Sequence, residues 1–492
     1  MITRPEQSPL HIIANPKSIA FFGASNNFSA MGTSILGAVL SLGFEGKLYP
    51  VHPSEKTVLD LPAYAGVDAI PETPDLAYIV LPTRLVIETL EACGKKGIRR
   101  AVIVSAGFNE VGGYGPQRQK ELLAVAERYG IRFTGPNCIG VVNTHRRLNA
   151  TFLPFEGRPG VIGIASHSGS FVTQMFSYLD SQFGRGFSTG FSLGNEANID
   201  MVDCIEYLGA CPETKVIALY VESIRRGRKF IDTARDVSKI KPIVAFYAGG
   251  SETGRRACLS HTGALAGPDR LYDGVFRQSG IIRARSIAEM FDFCYALGTA
   301  PLPRGGRVII QTHSGGPGAA AADACGRVGL DLPRLSAATL EKLSPFVPHT
   351  GSVGNPVDLT FTKNPLDFFH GIPKVLLEEE GADGLLVYFL ATARMVGRAL
   401  EAMGVPEEEI AAHTEQIIND QCLAVAGLVG THGKPVVGFS FLTRDNPFIA
   451  GLQDKGVPVL ASPERAARAF SAMVAYTRLR EKIRRSEALA KP

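Results

Sequence analysis

The chain has 492 residues, 45% of them hydrophobic and 20% charged, which at roughly 100 to 200 residues per domain is material for about three domains with buried cores and excludes a disordered chain. Its 51 Lys and Arg stand against 47 Asp and Glu, a net +4, too balanced for the basic footprint of a nucleic-acid or membrane-surface protein. The 53 glycines, the absence of Trp and the 8% aromatic content favour small-residue packing of helices on parallel sheets over a β-sandwich. Eight cysteines form no C-x-x-C pair, so neither a zinc site nor a disulfide framework is expected, and no metal site. The opening MITRPEQSPLHIIANPKS has no secretory-signal pattern, and no uncharged apolar stretch reaches about 18 residues. A soluble, cytoplasmic protein is expected.

Along the chain, short apolar runs alternate with helical patterns. In residues 1–150 the runs are 18–23, 47–51, 76–82, 100–107 and 131–136. Between them, Leu85, Val86, Thr89, Leu90 and Cys93 are spaced for a helix with one buried face. Runs of this length alternating with helices predict a parallel sheet covered on both sides. A second unit, 151–300, follows the linker-like NATFLPFEGRPG, with strands expected at 161–166, 186–194, 215–223 and 241–249. A third, 301–480, has runs at 307–312, 384–390, 434–442 and 456–461, and 481–492 reads as a charged, solvated helical tail.

The three units open alike, with SIAFFGAS, VIGIASHSGS and VIIQTHSGGPG. Each is a strand entering a Gly/Ser turn before a helix, which places backbone N–H donors of a helix start at the sheet's carboxyl edge. One such turn is ordinary tight packing; three in one chain point to phosphate handling. In the first, Gly23-Ala24-Ser25-Asn26 is not the G-x-G-x-x-G fingerprint, and the second strand runs into Tyr49-Pro50-Val51-His52-Pro53 without a terminal carboxylate for a ribose hydroxyl. A phosphorylated adenine ligand suits this loop better than NAD. The stretch 249–267 carries His261 among small residues with no apolar pattern to pack. Imidazole near neutral pH is both nucleophile and leaving group, so it can accept a phosphoryl group and pass it on.

The run from Gly23-Ala-Ser through Tyr49-Pro-Val-His-Pro, with Ile103-Val-Ser-Ala-Gly-Phe-Asn-Glu-Val and Gly135-Pro-Asn-Cys-Ile-Gly, resembles the CoA-binding domain of the NDP-forming acyl-CoA synthetases, the superfamily of ADP-forming acetate–CoA ligase and succinyl-CoA synthetase. Ser260-His-Thr-Gly-Ala-Leu-Ala-Gly resembles its phosphohistidine loop. The resemblance implies an α/β chain of three consecutive Rossmann-like or flavodoxin-like domains with parallel sheets, the first a CoA-binding Rossmann-like domain and the second carrying the phosphohistidine loop. It implies that Gly23, Ala24, Ser25 and Asn26 hold CoA phosphates and that Val51, Ser105, Ala106 and Gly107 line the rest of the CoA site. Where succinyl-CoA synthetases carry a Lys after the second strand, this chain has Glu55 and Lys56.

On the same resemblance His261 is the phosphorylated residue and Glu222 the carboxylate that orients it, fixing one ring nitrogen so that the other can attack. Ser168, Gly169 and Ser170, with Gly315 and Gly316, match the two helix starts that cradle the phosphoryl group; the family often has Gln where His167 stands. The match is to an alpha subunit, which implies a partner ATP-grasp beta subunit, in an αβ or α2β2 assembly, holding ADP or ATP and Mg. The expected reaction interconverts acyl-CoA, phosphate and ADP with a small carboxylic acid, CoA and ATP. An acyl- or carbamoyl-transferase of the same superfamily, and a CoA-binding sensor without turnover, are the alternatives.

Overall fold

In a computed structural model, the structure describes residues 2, 4–155, 158–256, 267–348, 351–359 and 365–490, with the side chains of 365 and 487–490 outside the description. The apolar runs become strands whose side chains are buried on both faces, as a sheet covered by helices on each side requires. The first sheet uses β1 (Ser18–Phe22) and β2 (Lys47–Val51). A small antiparallel hairpin, β3 (Thr57–Val58) and β4 (Leu61–Pro62), follows, and then β5 (Leu76–Ile79), β6 (Arg100–Ile103) and β7 (Arg132–Thr134). Its order is β2-β1-β5-β6-β7, all parallel. The helix Thr83–Lys96 buries Val86, Leu90 and Cys93 and half-buries Leu85 and Thr89, the face expected from their spacing.

The second sheet comprises β8 (Val141–Asn143), β9 (Leu148–Ala150), β10 (Arg158–Ser166), β11 (Arg185–Ser192), β12 (Val216–Val221), β13 (Ile243–Tyr247) and β14 (Ile282–Ala284). Its order is β14-β13-β12-β10-β11-β8-β9. The strands from β10 to β14 are parallel, whereas β8 runs antiparallel to β11 and to β9. Residues 141–150 therefore pair with this sheet and not with the first. Both sheets belong to one compact unit, Met1–Asp180 with Arg185–Arg285, and share a continuous core that runs from Leu10, Ile35 and Tyr78 to Phe191, Tyr207 and Leu219. Inside it, the Tyr78 hydroxyl donates to the Ala150 carbonyl at 2.6 Å, tying the sheets together.

The other compact unit is Ser181–Gly184 with Ser286–Pro492. Its sheet is β15 (Val308–Thr312), β16 (Val357–Asp358), β17 (Gly384–Tyr388), β18 (Val436–Phe439) and β19 (Val459–Leu460), in the order β16-β15-β17-β18-β19, all parallel. The helix Ile287–Thr299 packs in this unit, where Asp292 receives a bidentate pair from Arg465 at 2.6 and 2.7 Å. Arg465 opens the last helix, Pro463–Ala490, whose first half is buried along Ala466, Phe470, Met473 and Tyr476. The charged stretch after residue 477 is thus the outer end of a longer packed helix. Among the described residues no helix is long and apolar enough to cross a membrane.

Candidate functional site

The loops after β1, β2, β5 and β6 meet at the carboxyl edge of the first sheet, the place where doubly wound sheets take ligands. Gly23 leaves β1 with φ +94, and a Cβ there would stand 1.9 Å from the Val80 carbonyl oxygen, so only glycine fits the turn. Ala24 is buried beneath it. The Ser25 N–H donates to the Thr33 hydroxyl at 3.1 Å, and that hydroxyl donates back to the Ser25 carbonyl at 2.8 Å, joining the loop to the helix Met31–Ser41. Val51 ends β2 half-buried. Ser105 is buried, donating to the Leu81 carbonyl at 2.6 Å and accepting the Leu81 N–H at 2.9 Å, while the Ala106 carbonyl accepts from Thr83 at 2.6 Å. Gly107 directs its N–H to the Glu110 carboxylate at 2.5 Å.

The expected CoA-site residues are therefore brought to one edge, around a turn that only Gly23 can make. Glu55, expected in this neighbourhood, reaches one of those residues. Glu55, four residues beyond β2, accepts the Asn26 backbone N–H at 3.0 Å and its side-chain amide at 2.7 Å. The carboxylate absent from the end of β2 thus arrives from the following loop and occupies a donor expected to face a phosphate.

In the second sheet Glu222 follows β12 with only 6% of its surface exposed. Beside it β10 runs into Ser166-His167-Ser168, and Gly169 opens the helix Gly169–Phe183. The Ser166 hydroxyl donates to the Ser168 carbonyl at 2.7 Å, and a Cβ on Gly169 would lie 2.2 Å from Ile139 Cγ1. Ser168 and Ser170 hydroxyls are 3.4 Å apart at the helix start. The His167 N–H donates to the Tyr220 carbonyl at 3.2 Å, and the Glu222 N–H donates to His167 Nδ1, also at 3.2 Å. His261 lies outside the described residues.

The same turn recurs in the other compact unit. Thr312 ends β15 and donates to the Ser314 carbonyl at 2.8 Å, and Gly315 and Gly316 open the helix Gly315–Arg327, both exposed. His313 is the counterpart of His167; its ring packs against Phe368 and Tyr388, and burial pushes its pKa below the ordinary value. The sequence repeat Ser/Thr-His-Ser-Gly could have singled out both histidines. Asn355 is structural. Its amide accepts the Ile310 N–H at 3.0 Å and donates to the Val308 carbonyl at 2.9 Å along β15. Among the described residues no cluster of His, Cys, Asp and Glu is arranged to hold a metal.

Residues 17–144 match the CoA binding domain family and 159–297 the succinyl-CoA ligase like flavodoxin domain family. The chain is 39% identical over 469 residues to the alpha subunit of acetate–CoA ligase (ADP-forming) II of Pyrococcus furiosus, covering 94% of this chain and 96% of the relative. It is 36% identical to acetate–CoA ligase (ADP-forming) I of Archaeoglobus fulgidus, where the match takes in 96% of this chain but 64% of that longer one. A solved structure of the dinucleotide-forming acetyl-coenzyme A synthetase 1 of Ca. Korarchaeum cryptofilum, in complex with phosphate and ADP, superposes with a TM-score of 0.84 at 33% identity, covering 97% of this chain and 98% of the other. With near-complete coverage of alpha-subunit relatives, a glycine turn at the first sheet's carboxyl edge and a helix start at the second, the chain belongs to the ADP-forming acyl-CoA ligases, as an alpha-subunit-type member.

Proposed function

We propose that the chain is the alpha subunit of a cytoplasmic acyl-CoA synthetase that interconverts acyl-CoA, phosphate and ADP with carboxylic acid, CoA and ATP through an acyl phosphate and a phosphohistidine at His261. A phosphate oxygen attacks the thioester carbonyl carbon, the carbon–sulfur bond breaks, and the thiol of CoA is released with a proton. An imidazole nitrogen of His261 then attacks phosphorus, the phosphorus–oxygen bond breaks, and the carboxylate departs. Glu222 accepts the other ring N–H, fixing the tautomer and steadying the positive charge that develops on the ring. The helix start at Ser168, Gly169 and Ser170 supplies N–H donors for the doubly charged phosphoryl group, and Gly315 and Gly316 form a second helix start suited to the same role. A partner ATP-grasp beta subunit, in an αβ or α2β2 assembly, holds the ADP that collects the phosphoryl group. Mg²⁺ bound there with the nucleotide screens its phosphates.

The observation that carries this reading is the placement of Glu222, a buried carboxylate at the carboxyl edge of the second sheet beside a helix start. The reading is tested by incubating the chain with inorganic phosphate and a panel of short, branched and aromatic acyl-CoAs, then measuring intact mass and acid lability. An acid-labile phosphoryl adduct that is lost in His261→Ala is expected, and the acyl-CoA that produces it names the substrate. An adduct that persists in His261→Ala, or CoA binding without any adduct even when the partner subunit is present, would replace this reading with the transferase or the sensor.

A further inference from the structure

We propose that His167 is a positioning residue of the phosphoryl-transfer site, its neutral imidazole pinning the main chain of Glu222 to Glu196; this rests on the phosphohistidine reading above. His167 is 5% exposed and lies between two carboxylate residues. Its Nδ1 accepts the Glu222 N–H at 3.2 Å, and its Nε2 lies 3.3 Å from Oε2 of Glu196, a contact distance without the alignment of a full hydrogen bond. The Glu222 N–H and the Tyr220 carbonyl, 3.3 Å away, both face Nδ1; the neutral ring that accepts the N–H there carries its proton on Nε2, facing Glu196.

Glu196 is itself held firmly. It is 3% exposed and adopts φ +53, and its other oxygen accepts the Met201 N–H at 2.6 Å at the start of the helix Met201–Ala210. Arg225 grips the same turn, donating to the Glu196 and Asn195 carbonyls at 2.8 Å each, with its Nε 3.5 Å from Glu196 Oε2. A left-handed non-glycine residue with a buried carboxylate is strained unless its surroundings hold it. Here the surroundings lead in one direction to His167 and Glu222. In the other, Asn195 donates to Glu110, whose carboxylate receives the Gly107 N–H at the first sheet's edge.

The charged groups that bear on His167 among the described residues are Glu196, from the loop after β11, Glu222, at the end of β12, and Arg225, behind Glu196. Burial disfavours the imidazolium, but the Glu196 carboxylate, helped by Glu222, outweighs it and raises the pKa of the ring from the ordinary histidine value. Below that pKa Nδ1 gains a proton, can no longer accept the Glu222 N–H, and turns to the Tyr220 carbonyl 3.3 Å away. The main chain that carries Glu222 is then released. Phosphoryl transfer should accordingly fall on acidification through a limb set by His167.

The test is the pH dependence of phosphohistidine formation by the full chain with the acyl-CoA panel and inorganic phosphate, in His167→Gln and His167→Ala, with His261→Ala alongside. Glutamine can accept from Glu222 and donate to Glu196 but cannot ionise. The expected results are a near wild-type rate for His167→Gln at pH 8 with its acid limb moved to lower pH, and a loss of at least about tenfold for His167→Ala, the effect of an unmatched buried hydrogen-bonding group. CoA affinity should be unchanged in both. A His167→Gln acid limb identical to that of the wild type, or His167→Ala within about twofold of the wild-type rate, overturns the role of His167 while the adduct's loss in His261→Ala stands. If His167→Ala does not fold, the acid limb of His167→Gln decides alone. An adduct that persists in His261→Ala overturns the phosphohistidine reading and this inference with it.

Discussion

Glu55 holds the Asn26 N–H, a donor that the proposed CoA site assigns to a phosphate, and holds the Asn26 side chain with the same oxygen. A carboxylate in that place competes with a ligand anion for the donor and repels it. Replacing Glu55 by Gln keeps the size and removes the charge, so CoA should bind about twofold to fivefold more tightly, the range expected for a solvated charge pair. Calorimetric titration at two salt concentrations measures this; the gain should shrink at the higher salt, and unchanged or weaker binding would contradict the competition. The residue itself was visible in the sequence beside Lys56, but its partner was not. Asn26 and Glu55 are 29 positions apart, and only the parallel pairing of β1 with β2 brings their loops together. The same holds for His167 and Glu196, joined across β10 and β11.

At the scale of elements, one side chain ties two helices of the second compact unit. Glu379 follows the helix Gly371–Glu378, and its carboxylate accepts the N–H and hydroxyl of Ser336 at 2.9 and 2.8 Å and the Gly381 N–H at 3.0 Å. Ser336 is the N-cap of Ala337–Leu343. Burial opposes the charge, but these donors overcome it and hold the pKa down at about 2. A carboxylate whose folded pKa is depressed stabilises the fold above its unfolded value near 4.5 and loses that contribution as pH falls towards 2. Glu379→Gln should cost about 2 kcal/mol at pH 7, with a difference from the wild type that narrows steadily below pH 5. Chemical denaturation across that range measures it, and a pH-independent difference would assign the effect to packing. Strands such as β5 and β15 were legible because an apolar run buried on both faces admits few other structures. The three-residue β8, β9 and β14 carry too little pattern to stand out.

At the scale of the whole chain, two compact units predict distinct responses to ligand. The first and second sheets share one core, so CoA bound at the first sheet's edge should stabilise both together. At a concentration 100 times its dissociation constant it would add about 2.7 kcal/mol. Scanning calorimetry should therefore show a transition for the first unit that rises with CoA and another, for Ser286–Pro492 with its short partner segment, that does not. A uniform rise of a single transition would mean that the chain unfolds as one cooperative body.

The sequence by itself determined the α/β class, the position of most strands and the three Gly/Ser turns, because each is a local matter of apolar periodicity and of residues that tolerate tight turns. The likeness to acyl-CoA ligases was likewise readable in the motifs around Gly23 and His261. The tertiary structure decided that 141–150 pairs with the second sheet and that the last helix is buried for half its length. It also decided that Glu55 and Glu196 stand beside Asn26 and His167. Those facts depend on which strands become neighbours. Strand pairing is governed by packing between segments far apart in the chain, and no stretch of a few residues carries that information.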